Sequence, residues 1–238
     1  MAQILENTMS NNNVYILTNI NPETTNDLIA QLSLWVDKLQ FRKPLASPYT
    51  KKKKITDSTI YVITSRQDQI YSPYEKMPDN RPVLNVYINS SGGKTSQMQS
   101  LLTLFNMASA RGTIIKTYNL AHADSSASMI AVSGTRGYRY MSENAFNYIH
   151  FGRYTSDTSH TDEIETLMKD LKEFDNTSRN IYLNNTKLTT KELNKYYNSE
   201  GTGKLYAKEC LEKELCDWII TNDGRFVNNI TDLKSKKR

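Results

Sequence analysis

The stretch "HADSSASMIAVSGTRGYRYMSENAFNYIH", residues 122–150, decides how this chain folds. It holds a run of small residues carrying Ser125, Ser126 and Ser128, an apolar segment, a turn at Gly134, a second apolar segment and finally His150. Small residues let a helix start close against a strand, so the bland reading of any one serine is packing. As a strand-helix-strand unit, however, the stretch brings a serine and a histidine towards one another. Acyl transfer needs such a pair, together with backbone amides placed where an oxyanion forms.

Working upstream, "VLNVYIN" (residues 83–89) is a continuous β-branched and aromatic run suited to a buried strand, and "SSGGKTS" turns it into a helix expected over residues 97–110. Gly92 and Gly93 either make a tight turn or free an amide to point at a ligand. The amides of Gly93 and Ser126 are the candidate oxyanion donors. A further buried strand, "TIIKTYNLA", leads from Gly112 into the small-residue run.

Earlier still, residues 1–13 read as a flexible leader, the first strand begins at Val14, and "NPETTNDLIAQLSLWVDKL" places Leu28, Leu32, Trp35 and Val36 on one helical face. Residues 41–82 hold five of the six prolines and the Lys51 to Lys54 run, and read as an insertion carrying one strand or hairpin. Its lysines read as a solvated loop. Downstream, residues 161–183 form a long helix with Ile164, Leu167, Leu171 and Phe174 at helical spacing. "TTKELNKYY" is a second helix, and "LYAKECLEKELCDWIIT" a helix running into a strand. One domain over residues 14–225 is expected, with a loose basic tail at 226–238.

Composition narrows the function. A formal charge of +5 over 238 residues, concentrated in the lysine run and in the "KSKKR" tail, is not the basic stripe with interleaved aromatics of a nucleic-acid groove, so no nucleic-acid partner is expected. No apolar run reaches the eighteen or so residues of a spanning helix, and no secretory signal pattern opens the chain, so no membrane partner is expected. Cys210 and Cys216 read as ordinary buried thiols in a reducing, cytoplasmic compartment.

The middle of the chain resembles the Clp protease proteolytic subunit (ClpP) family and its phage-encoded relatives. "YINSSGG" is similar to the family's "YINSPGG", "ADSSASMIAVSG" to its nucleophile segment "AASMGA…AG", and "NYIHFG" to its "MIHQP". The likeness covers residues 14–38 and 83–222. It implies an α/β, ClpP/crotonase-like fold of repeated β-β-α units. Ser128-Met129 reproduces the family's letters, but Ser125 lies nine residues before Gly134 and twenty-five before His150, the family's spacing. The resemblance therefore makes Ser125 the nucleophile, His150 the general base, and the amides of Gly93 and Ser126 the oxyanion hole.

The family's third member, an Asp, aligns with Thr202, and the loop around it holds no Asp; Glu200 ranks above Asn198 and Thr202 as its replacement. Ser91 stands for a proline, Phe151 for a glutamine, and Asp124 for a small residue, where its charge opposes oxyanion formation unless it points away. The implied activity is an ATP-dependent serine endopeptidase that cleaves unfolded polypeptides inside stacked heptameric rings, homomeric or mixed. An AAA+ unfoldase of the Clp type is the implied partner, and no cofactor or metal is implied. The alternative is a catalytically inactive structural or regulatory subunit of a mixed Clp ring.

Overall fold

A computed structural model describes residues 7–39, 50–55, 58–63, 81–150, 161–198 and 203–233. In chain order these form β1 (Thr8–Ser10), β2 (Asn13–Ile16), α1 (Pro22–Asp37), β3 (Thr50–Ile55), β4 (Ser58–Ile63), β5 (Val83–Ser90), α2 (Thr95–Ala110) and β6 (Ile114–Asp124). Then follow α3 (Ser126–Val132), β7 (Arg139–Ser142), β8 (Phe146–Tyr148), α4 (Thr161–Asn185), α5 (Thr190–Asn198), β9 (Lys204–Tyr206), α6 (Ala207–Glu212), β10 (Trp218–Ile220), β11 (Phe226–Val227) and α7 (Ile230–Leu233).

Nine strands make one sheet in the order β1-β2-β5-β6-β7-β10-β11, with β8 on β6 and β9 on β8. The central pairings β2–β5, β5–β6, β6–β7 and β7–β10 are parallel, as strands joined by helices require. The architecture is the α/β arrangement expected. One face packs on helices: Val14, Ile16, Leu84, Val86 and Ile88 meet Leu28, Leu32 and Val36 of α1 and Met98 and Leu101 of α2, all at 0% exposure. Truncating any one of these leucines costs about 2–5 kcal/mol, because the cavity does not fully collapse.

The other face differs from expectation. β5 alternates between buried and half-buried rather than being buried throughout. Its half-buried side carries Tyr87 in a ladder with Tyr15, Tyr118 and Tyr140, at centroid spacings of 5.3, 4.8 and 4.8 Å, closed by the edge of Phe226. Tyrosine suits a half-buried face because its ring is apolar and its hydroxyl polar, although Tyr140 at the end of the ladder is itself buried.

Other expectations give way for local reasons. Within the residues read as a leader, Asn7 has a buried side chain that accepts from Leu17 N (3.1 Å) and Thr18 N (3.2 Å) and donates to Thr25 Oγ1 (3.1 Å). β1 then turns back on β2. The lysine run is strand backbone, paired with Thr59 to Val62 in an antiparallel β3–β4 hairpin, and not a loop. Helix α1 begins as read, with Asn21 capping Thr24 N at 2.9 Å and Pro22 in the first turn. Beyond β11, where a loose tail was expected, residues 230–233 form the short α7.

Two features set the position of the site. β6 is long enough to serve two partners: Thr117 to Asn119 pair with β7, and His122 to Asp124 pair with β8. Between them Leu120 and Ala121 are both exposed, so the alternation breaks where the sheet divides. Helix α3, every residue of it buried, is wedged between the sheet, α2 and α4. Behind it the fully buried Arg139 joins Asp217 through two charge-assisted bonds of 2.9 and 2.7 Å, and its other nitrogen donates to the carbonyl of Asn185 at the end of α4.

Candidate active site

The β6 ladder runs out at Asp124, which pairs with Tyr148, and the next residue must both leave the sheet and open α3. Ser125 does so at φ 54°, ψ −122°. For a residue with a Cβ this is a sparsely populated, strained conformation, and strand-to-helix turns of this kind hold a serine hydroxyl clear of the surrounding backbone. Three bonds over-determine it. Ser125 N donates to Tyr148 O at 2.8 Å, and Ser125 O accepts from Ser128 N at 3.0 Å and Met129 N at 3.3 Å. Since Tyr148 lies two residues before His150, the first bond ties the serine to the strand that ends at the histidine. The rings of Tyr148 and His150 pack at 5.1 Å.

The β5–α2 turn closes the site from the other side. Gly92 sits at φ +83°, and a Cβ there would lie 2.4 Å from Asp124 O and 2.9 Å from both Ser125 Cβ and Ser126 N. A Cβ on Gly93, at φ +149°, would lie 2.1 Å from Ile20 O. Both glycines are therefore needed for close approach of backbone. Ser90 Oγ accepts from Gly92 N at 3.1 Å and donates to Thr18 O at 2.6 Å, anchoring the turn. Ser126, 1% exposed, donates its hydroxyl to Gly93 O at 2.8 Å. The side chain of one candidate donor thus bonds the carbonyl that follows the other, while the Gly93 and Ser126 amides donate to no group among the described residues.

Ser128, the rival nucleophile, is at 0% exposure on α3. Glu200 and Thr202 lie outside the described residues, and of Asn198 only the backbone, at the end of α5, is described. Cys210 and Cys216 are buried thiols outside any disulfide, and burial pushes the Cys210 thiol up to about 12, so it stays protonated and inert. Among the described residues no group of three His, Cys, Asp or Glu side chains is arranged to hold a metal, and no helix is long and apolar enough to cross a membrane.

One arrangement was not legible beforehand. Asp124 Oδ2 lies 3.1 Å from His122 Nδ1. The two residues are two apart on one strand and so share a face, which is the signal a reading of "HAD" could have used. Burial pushes the Asp124 carboxyl up, and the charges of His122, His150 and Lys204 oppose that shift. Asp124 Oδ1 is buried with no hydrogen-bond partner.

Residues 74–223 match the model of the Clp protease family. The ATP-dependent Clp protease proteolytic subunit of Streptococcus uberis is 31% identical over 150 residues, which span 61% of this chain and 72% of that protein. The protein of the same name from Lactococcus lactis subsp. lactis is 28% identical over 151 residues, 61% of this chain and 71% of its own. A matched region of that extent, carrying the α/β fold and the strand-to-helix serine described above, places the chain in the Clp protease family, a family of peptidases.

Proposed function

We propose that the chain is a serine endopeptidase subunit of the Clp type, with Ser125 as nucleophile and His150 as general base. The single observation that carries this reading is the strained backbone of Ser125, at φ 54° between β6 and α3 and bonded to the strand that leads to His150. In the reaction, His150 takes the proton from Ser125 Oγ as the oxygen attacks the peptide carbonyl carbon. The carbonyl oxygen becomes an oxyanion, held by the Gly93 and Ser126 amides. His150 then gives the proton to the leaving amine, and the acyl-enzyme is hydrolysed by water with His150 acting again as base. Glu200 is the carboxylate to which this reading gives the role of orienting His150.

The substrates are unfolded polypeptides, delivered by an AAA+ unfoldase of the Clp type to a chamber formed by stacked heptameric rings in the cytoplasm. Support comes from α4, whose N-terminal half presents Ile164 (41% exposed) and Met168 (53% exposed), apolar surface fit for a second subunit. The names of the relatives, ATP-dependent Clp protease proteolytic subunits, support the same partnership.

The test is a serine-directed fluorophosphonate probe on the assembled protein, with the adduct located by peptide mass. Labelling at Ser125 that disappears in Ser125→Ala and His150→Ala is the expected result. Labelling at Ser128 would overturn the assignment of the nucleophile, and no labelling would favour the inactive ring subunit.

A further inference from the structure

We infer that Asp124, held in place by His122, is a positioning residue for His150, its carboxylate stabilising the imidazolium that forms as His150 takes the Ser125 proton. The inference rests on the serine-peptidase reading above and adds to it a carboxylate supplied from the strand, independent of the loop that carries Glu200.

The register places the groups. Asp124 pairs with Tyr148 across β6–β8, and Tyr148 pairs with Lys204 across β8–β9, so the three stand in one row. The ladder continues past Tyr148, because Ile149 N donates to Gly203 O at 2.9 Å. His150, two residues beyond Tyr148, returns to the face that Asp124 occupies. Strand spacing and rise put it diagonally about 8 Å from Asp124, close enough for a charge to be felt in a half-buried place.

The groups that face Asp124 are His122 from its own strand, Tyr148 and His150 from β8 and its end, and Lys204 from β9. Lys204 Nζ is occupied elsewhere, 3.7 Å above the Phe146 ring, and the His122 ring stacks on the same Phe146 at 5.7 Å. His122 is therefore fixed by stacking and in turn fixes Asp124 Oδ2. That leaves Oδ1, buried and without a hydrogen-bond partner. An orphan carboxylate oxygen is costly and needs a reason. A positive charge that appears on His150 only during the reaction supplies one, since the oxygen is then compensated in the transition state and not in the ground state.

The experiment measures the second-order rate of Ser125 labelling by fluorophosphonate as a function of pH, in the wild-type protein and in Asp124→Asn. The rate requires neutral His150. Removing a nearby negative charge favours the neutral ring, so in Asp124→Asn the midpoint of the rate should move to lower pH. The plateau rate should fall roughly ten- to a hundred-fold, because the imidazolium of the transition state loses its partner. A merely structural Asp124 would lower the rate without moving the midpoint, and an unmoved midpoint overturns the inference. Should Asp124→Asn not fold, NMR titration of the ring-labelled wild-type protein decides: the His150 resonance should move as Asp124 ionises, and a single-inflection curve refutes the coupling. Absence of labelling in the wild-type protein would instead refute the serine-peptidase reading, and the same titration would still test the link between Asp124 and His150.

Discussion

Replacing Ser125 by glycine and by alanine separates the cost of its backbone from the role of its hydroxyl. Both changes remove Oγ, which caps no helix amide, so both should abolish labelling equally. They differ in the Cβ. At φ 54°, ψ −122° a residue with a Cβ carries strain of about 1–3 kcal/mol, which glycine does not. Glycine in turn loses roughly 0.5–1 kcal/mol more chain entropy on folding than alanine. The mid-range difference leaves Ser125→Gly more stable than Ser125→Ala by about 1.2 kcal/mol, or roughly 2–5 °C in Tm for a chain of this size. Urea unfolding of the two variants at equal protein concentration reads the difference without interference from association. The same pair of changes at Ser128, inside α3, is the control and should run the other way by about 1 kcal/mol, because there glycine only weakens a helix. Equal stability at position 125, or greater stability of Ser125→Ala, would show that the turn is not strained and would remove the main support for the nucleophile.

Two further outcomes follow from the scaffold. Burial pushes the Asp217 carboxyl up, but the Arg139 guanidinium and the amides of Arg139 and Gly137 more than offset this and hold it below the usual carboxylate range. Asp217→Asn should therefore leave a buried, unpaired guanidinium and cost about 3–5 kcal/mol in urea unfolding, whereas the double change Arg139→Met with Asp217→Leu should recover most of the loss; a cost under about 1 kcal/mol would refute the account. Glu192 is pulled down to about 2 by its bond from Lys213 and by the amide and hydroxyl of Thr189. A depressed carboxyl stabilises the fold above its unfolded pKa of about 4.3 and loses that contribution as pH falls towards 2, so the stability gap between wild type and Glu192→Gln should be present at neutral pH and close on acidification through that window. A gap independent of pH would refute it.

Much of the architecture was legible because its signals are local. Leu28, Leu32 and Val36 announce α1 by spacing, and "VLNVYIN" announces β5 by composition, since helix and strand periods depend only on neighbours in sequence. The tyrosine ladder was not legible as a ladder. Its rings come from β2, β5, β6 and β7, and only strand register brings Tyr15, Tyr87, Tyr118 and Tyr140 into line. Asn7 was misread for the same reason: its partners, Leu17, Thr18 and Thr25, are set by the way β1 folds back.

At the site the division is similar. By itself the sequence determined the residue types and distances along the chain: a glycine pair after one strand, a serine after the next, and a histidine twenty-five residues further on. These follow from one-dimensional spacing and needed no contact to be known. Only the tertiary structure decided that Gly92 lies against Ser125, that the Ser126 hydroxyl holds Gly93, and that Asp124 turns to His122 on the face shared with His150. The first two depend on the β5–β6 register that sets Ser90 beside Ala123, and the third on where β6 exchanges β7 for β8. That exchange is a balance of packing across the whole sheet, which no stretch of neighbouring residues encodes.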